Sequence, residues 1–350
     1  MSRVAIIGAA QSKHAASRNE VNYMELNFEV VQDLLAKTNW SHDKIDTVIN
    51  ASSDFLDGRT ISDISIQDAA GAAGKSASKV SMDGTFSLVY AAARILSGRF
   101  NSCLVTAHAK CSEGEPRKIS RAAFDPIFQR PIGITDHMAL GLQARRFLQK
   151  RGLSEDVLAR AAETSAKAVS ANPNAHERSV GSDVFANPLL ANQVAPDSDG
   201  ACAVLLVNEE LAKGNPNAVW LDGFGFATDR HGLGDRDLGD PGVLSQVAQE
   251  AYRKAGILDP AKELDVVEVH DASSAQTLLW KEGLGLPTDG GPTFNPSGGA
   301  MSAQPGFATG LVRVTEVYNR LTQDNGSTGL AHGMTGFTGQ AHCAWVLRRN

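Results

Sequence analysis

Val266-Val267-Glu268-Val269-His270-Asp271-Ala272, followed by Asn295-Pro296-Ser297-Gly298-Gly299 and Ala308-Thr309-Gly310, is the stretch whose reading decides the fold. Leu264 to Val269 is a short, largely apolar run of strand length that closes on a histidine and an aspartate. In α/β proteins the end of a strand and the turn after it are where site residues gather. A helical pattern from Gly242 to Ala255 precedes this run, and another from Gly310 to Leu321 follows the glycine-rich turns. Cys343-Ala344-Trp345-Val346-Leu347 then reads as a closing strand.

The first half has the same outline. Val4-Ala5-Ile6-Ile7-Gly8 reads as a buried strand, and Tyr23 to Lys37 as a helix with Leu26, Val30, Leu34 and Leu35 on one face. Asp46 to Asn50 is a second strand, Ala91 to Leu96 a helix stopped at Ser97-Gly98, and Cys103 to Ala107 a third strand. From Ser112 to about Pro196 the pattern changes. Helices are expected over Asp136–Arg151 and Ser154–Ser170, the second capped by Ser154, and Asn172-Pro173-Asn174 and Asn187-Pro188 form loops. This section reads as an inserted loop domain. Strands return at Ala201 to Val207 and Ala218 to Phe226. Strands alternating with helices imply a mixed or parallel sheet covered on both faces. The repeated order suggests an internal duplication. The expected division is an N-terminal half over 1–208, with the loop domain at about 112–196, and a C-terminal half over 209–350.

Composition narrows the function. With 42% hydrophobic and 21% charged residues, the 350-residue chain has the balance of a soluble globular protein. A net charge of -6 with no run of Lys and Arg argues against nucleic acid as a partner. Apolar windows such as Ala203 to Val207 are far shorter than the ~20 residues of a membrane span. Met1 to Gly8 reads as a strand and not as a signal peptide, so a cytoplasmic protein is expected. Cys103, Cys111, Cys202 and Cys343 show no C-x-x-C spacing, so neither a metal site nor a disulfide framework is expected. Ile6-Ile7-Gly8-Ala9-Ala10 does not continue as G-x-G-x-x-G and P-loop spacing is absent, which sets aside nicotinamide dehydrogenases and P-loop enzymes.

Several segments, in order, resemble the thiolase superfamily, whose members make and break C–C bonds in coenzyme A thioesters. The similarity is greatest to the lipid-transfer branch that includes sterol-carrier thiolases. Ala91 to Gly98 resembles the nucleophile helix, Ala107 to Ser112 the following strand end, Asn172-Pro173-Asn174-Ala175 a loop-domain motif, and Asp199-Gly200-Ala201-Cys202-Ala203 a strand entry. His270-Asp271-Ala272, Asn295 to Gly299 and Ala308-Thr309-Gly310 complete the series, which spans nearly the whole chain. The resemblance implies two βαβαβ halves in a five-layered α/β/α/β/α body with site loops meeting between them. It also implies a homodimer, coenzyme A as substrate with no covalently bound cofactor, and a small zinc-ribbon/OB-fold protein as partner subunit.

The same resemblance locates the chemistry. A thiolase needs a nucleophile for the acyl group, a base, and donors for the thioester oxyanion. The nucleophile position falls on Ser81, with Gly84 as the turn glycine; a serine there either carries the acyl group or caps the helix. The family's Gly-His-Pro is here Ala303-Gln304-Pro305, and a glutamine orients an oxygen but accepts no proton as a base. His270 stands where this branch places a histidine on the thioester oxygen, and His332 lies in the C-terminal glycine-rich loop with Gly336. Asn295, Gly298 and Gly299 would help form the substrate site. Asp83, Tyr90 and His108 are lesser candidates, and Arg145-Arg146 is either a phosphate contact or a solvated face. Cys343 reads as core. The function expected is thiolase-type cleavage of a 3-oxoacyl-CoA at a site lacking the usual cysteine. The alternatives are a retro-aldolase acting on a CoA thioester, or a catalytically inactive thiolase-fold partner subunit. Benzoylsuccinyl-CoA-type thiolases and steroid side-chain aldolases are the settings the resemblance suggests.

Overall fold

Residues 3–177, 181–323 and 326–349 are described by a computed structural model of the chain. The strands of its main sheet are β1 (Val4–Gln11), β2 (Thr47–Ala51), β3 (Ser76–Val80), β4 (Ser102–Lys110), β5 (Asp199–Asn208), β6 (Val219–Thr228), β7 (Val266–Val269), β8 (Thr293–Phe294), β9 (Thr328–Thr335) and β10 (Ala341–Arg349). The longer helices are α1 (Tyr23–Thr38), α2 (Gly84–Leu96), α3 (Asp136–Arg151), α4 (Asp156–Ala171), α5 (Gly242–Ala255), α6 (Ser274–Gly283) and α7 (Thr309–Gln323).

All these strands join one sheet in the order β8-β7-β9-β10-β6-β1-β5-β4-β2-β3. Its two halves repeat each other. In the first, β2 pairs parallel with β3 and β4, and β5 joins β4 to β1 by antiparallel pairing. In the second, β7 pairs parallel with β8 and β9, and β10 joins β9 to β6 in the same antiparallel way. Within the sheet, the described halves are joined where Ala5 pairs with Trp220 and Ile6 with Val219. Helices α2 and α7 lie between the half-sheets, where Phe86, Leu88, Leu311 and Val314 pack with Val105, Val204, Ala331 and Trp345 in one core. On one outer face α1 covers β1, β4 and β5; on the other, α5 and α6 cover the second half-sheet. The layers therefore run α/β/α/β/α.

Some local features differ from the sequence reading. The helix read from Ala91 begins at Gly84, and its N-cap is Asp83, whose carboxylate accepts from Thr85 N. Ser154 does not cap α4; Glu155 holds that position without a side-chain bond, and Ser154 Oγ turns to Asp156. The C-terminal glycine-rich segment around His332 is strand β9, not loop, because Gly329 and Gly333 interrupt the apolar pattern while leaving the backbone able to pair. Edge strand β3 is mostly polar, so apolar periodicity gave no sign of it. Among the described residues no helix is long and apolar enough to cross a membrane.

Candidate active site

Two helix N-termini converge on one carboxylate between the halves. Asp83 is fully buried at the start of α2. Its Oδ1 accepts from Thr85 N (3.0 Å) and Thr85 Oγ1 (2.7 Å), and its Oδ2 accepts from Gly310 N at the start of α7 (2.8 Å). Its own N–H donates to Thr335 Oγ1 at the end of β9 (2.8 Å). Gly310 and Gly333 make the space for it: a Cβ on either would lie 1.9 or 2.2 Å from Asp83 Oδ1.

His270 faces this carboxylate. Its Nδ1 lies 3.3 Å from Asp83 Oδ2, within ion-pair reach but off the line of a formed hydrogen bond. Nε2 has no protein partner among the described residues and is not among the ring's buried atoms. The backbone of His270 is pinned on both sides: its N–H donates to the His332 carbonyl (3.1 Å), and its carbonyl accepts from Trp280 Nε1 on α6 (3.1 Å).

His332 belongs to that platform. It shares its face of β9 with Leu330 and Met334, which pack under the outer helices, whereas Gly333 turns toward Asp83. Its Nε2 lies 2.9 Å from His342 Nδ1, one nitrogen donating and the other accepting, and Trp280 meets the His342 ring edge-on at 4.8 Å. Burial, together with the neighbouring His342 and His270, holds the His332 ring neutral, far below the usual histidine range. His270 and His332 thus sit on opposite faces of the sheet.

The Asn295 to Gly299 turn fixes the residue after His270. Asn295, at φ 45°, accepts from Val269 N (2.8 Å) and donates to Asp271 Oδ2 (2.9 Å). Asp271 also accepts from Ala300 N (2.9 Å) and Thr277 Oγ1 (2.6 Å), and burial pushes its carboxyl up to about 7. Gly299 lies against both side chains, and Gly298 against Val169 of α4. Beneath the turn, Glu268 and Arg313 form a fully buried ion pair at 2.9 Å, with Ser297 bonded to both.

Gln304 joins this group through the 194–198 segment, which bridges Ser273 at Val194 and Gln304 at Asp197. Its Oε1 is buried without a partner. Ser81 is exposed just beyond β3, and no described histidine bonds to it. Gly336, at φ 82°, turns the chain out of β9. His108 is buried on the outer face beside Tyr23 and 3.4 Å from Asp57, and Tyr90 is exposed. Arg145 and Arg146 pair with Glu155 and Asp237 on an exposed face. Burial pushes all four thiols up, so none supplies a thiolate near neutral pH. In the sequence, the signal for Asp83 is an Asp-Gly directly before an apolar helical run.

No protein-family profile matches the chain. An acetyl-CoA acetyltransferase of Methanocaldococcus jannaschii is 27% identical over 270 residues, 69% of this chain and 69% of its own. The benzoylsuccinyl-CoA thiolase subunit BbsB of Thauera aromatica is 28% identical over 169 residues, 45% of this chain and 43% of its own. A solved structure described as an Ltp2-ChsH2(DUF35) aldolase superposes with a TM-score of 0.77 over 99% of this chain and 97% of that one, at 18% identity, a likeness of fold. Strand order, layering and relatives define a thiolase-like α/β protein. The chain is similar to members of the thiolase superfamily, among them the lipid-transfer, sterol-carrier-type branch: sterol carrier protein 2 of Bos taurus is 32% identical over 152 residues, 37% of this chain and 28% of its own.

Proposed function

We propose that this protein cleaves a C–C bond in an acyl-CoA thioester by a retro-aldol route, with His270 as the base and no acyl-enzyme. The observation that carries this reading is the approach of His270 to a buried carboxylate, at a site where burial raises all four thiols and no described histidine hydrogen-bonds to Ser81. Thiolysis of a 3-oxoacyl-CoA requires an activated nucleophile to hold the acyl group. Retro-aldol cleavage of a 3-hydroxyacyl-CoA does not. It needs a base for the β-hydroxyl and donors for the enolate oxygen. The Gln304 amide, on a backbone held against the 194–198 segment, is the donor assigned to the second task in this reading. The similarity in fold to an Ltp2-ChsH2(DUF35) aldolase supports this reading and a DUF35-type partner subunit; the homodimer and the zinc-ribbon/OB-fold nature of the partner are proposed with it.

The test is to incubate the protein, alone and with its zinc-ribbon/OB-fold partner, with 3-hydroxyacyl-CoA and 3-oxoacyl-CoA esters, following products by mass spectrometry. Release of a shorter acyl-CoA and a carbonyl compound without free coenzyme A is the expected result. His270→Gln is expected to lower kcat by about 10²–10⁴-fold, the usual contribution of a positioned base. Cleavage that consumes free coenzyme A and leaves an acyl group on Ser81 would establish the thiolase route instead. Absence of turnover with the partner present would leave the protein a scaffold.

A further inference from the structure

We infer that Asp83 is a positioning residue that holds His270 as the Nδ1–H tautomer, leaving Nε2 free to take the substrate proton. The inference rests on the reading of His270 as the base. Capping α2 does not account for Asp83: a serine or asparagine caps a helix as well as an aspartate. Here both carboxylate oxygens are used. Oδ1 holds the start of α2, while Oδ2 joins α7 through Gly310 N and turns to the histidine. The carboxylate is fully buried, and two positions, 310 and 333, lack a Cβ where one would collide with it. Besides meeting the two helix starts, a carboxylate offers His270 an oxygen with no donor proton of its own, so the facing Nδ1 is the one that carries a proton. A carboxylate behind a histidine fixes the tautomer and supports the imidazolium that forms during turnover. The present 3.3 Å contact is poorly aligned for a hydrogen bond, as catalytic contacts often are before substrate binds.

The step balances as follows. Nε2 takes the β-hydroxyl proton, and the C–O bond becomes a carbonyl as the Cα–Cβ bond breaks. The electron pair moves into the thioester to form an enolate, and the proton on Nε2 is then delivered to Cα. No proton passes to Asp83, and no oxidant or reductant is needed.

The experiment is ¹⁵N NMR of histidine-labelled full-length protein without substrate, assigned with His270→Gln and compared with Asp83→Asn. The wild type is expected to show His270 protonated at Nδ1 in its neutral form, and the variant to shift to Nε2–H. In cleavage assays Asp83→Asn is expected to lose about 10³–10⁴-fold in kcat, on the pattern of a triad whose aspartate is amidated, with little change in KM. A wild-type His270 that is neutral and protonated at Nε2 overturns the inference without any variant, as does a folded Asp83→Asn protein with the tautomer unchanged. A tautomer shift in a protein that cleaves no thioester keeps the positioning role and rejects the proposed function instead.

Discussion

At the scale of single residues, the buried histidines behind the site carry a measurable cost. Burial, with Arg236 nearby, lowers the His342 ring to about 3, and its neighbours are His332, Trp280 and His270. The folded protein therefore refuses a proton that the unfolded chain binds below pH 6.5. For this base the stabilising effect is complete above 6.5 and is lost as pH falls toward 3, at ~1.4 kcal/mol per pH unit. Asp271, with its carboxyl raised to about 7, acts in the opposite direction, but it does so equally in wild type and in a His342 variant. The stability lost in His342→Gln is accordingly expected to shrink by about 3 kcal/mol between pH 6.5 and 4.5, measured by urea unfolding. An unchanged difference would mean that the ring is not held neutral. Residue identity alone could not place His332 and His342 together, because their contact depends on the register that sets His332 opposite Ala344.

At the scale of elements, β7 and α7 are joined across the central layer by Glu268 and Arg313, both fully buried. Such a pair does not make a fold stable by itself, since desolvation offsets much of its attraction. Losing one partner is different, because the other charge remains buried. Glu268→Ala is expected to destabilise by about 3–5 kcal/mol, and combining Glu268→Met with Arg313→Leu to recover much of that loss. Denaturant midpoints of the single and double variants check this; a double variant as unstable as the single would show that the pair sets local geometry and not only charge balance. Val266-Val267-Glu268-Val269 was readable as a strand from its apolar residues, yet the partner of Glu268 lies 45 residues away on a helix. No local pattern announces that pairing.

At the scale of the whole molecule, the two halves share one central layer. Residues of α2 and α7 pack with strands from both half-sheets, so neither half keeps its core without the other. Unfolding is expected to be a single cooperative transition, with tryptophan fluorescence and far-UV circular dichroism coincident; two separated transitions would show that the halves are independent. The sequence by itself determined the alternation of strands and helices, the repeated order of the halves and the thiolase-like motifs, because apolar period and turn residues are local properties. It placed His270 at a strand end for the same reason. The tertiary structure alone decided what faces that histidine. Asp83 and His270 are separated by 187 residues and meet because the starts of α2 and α7 are driven to the same point between the half-sheets, while the outer face of the second half-sheet hides His332. Which side of a strand a residue takes, and which helix end it meets, follow from packing the layers, and no window of sequence contains that information.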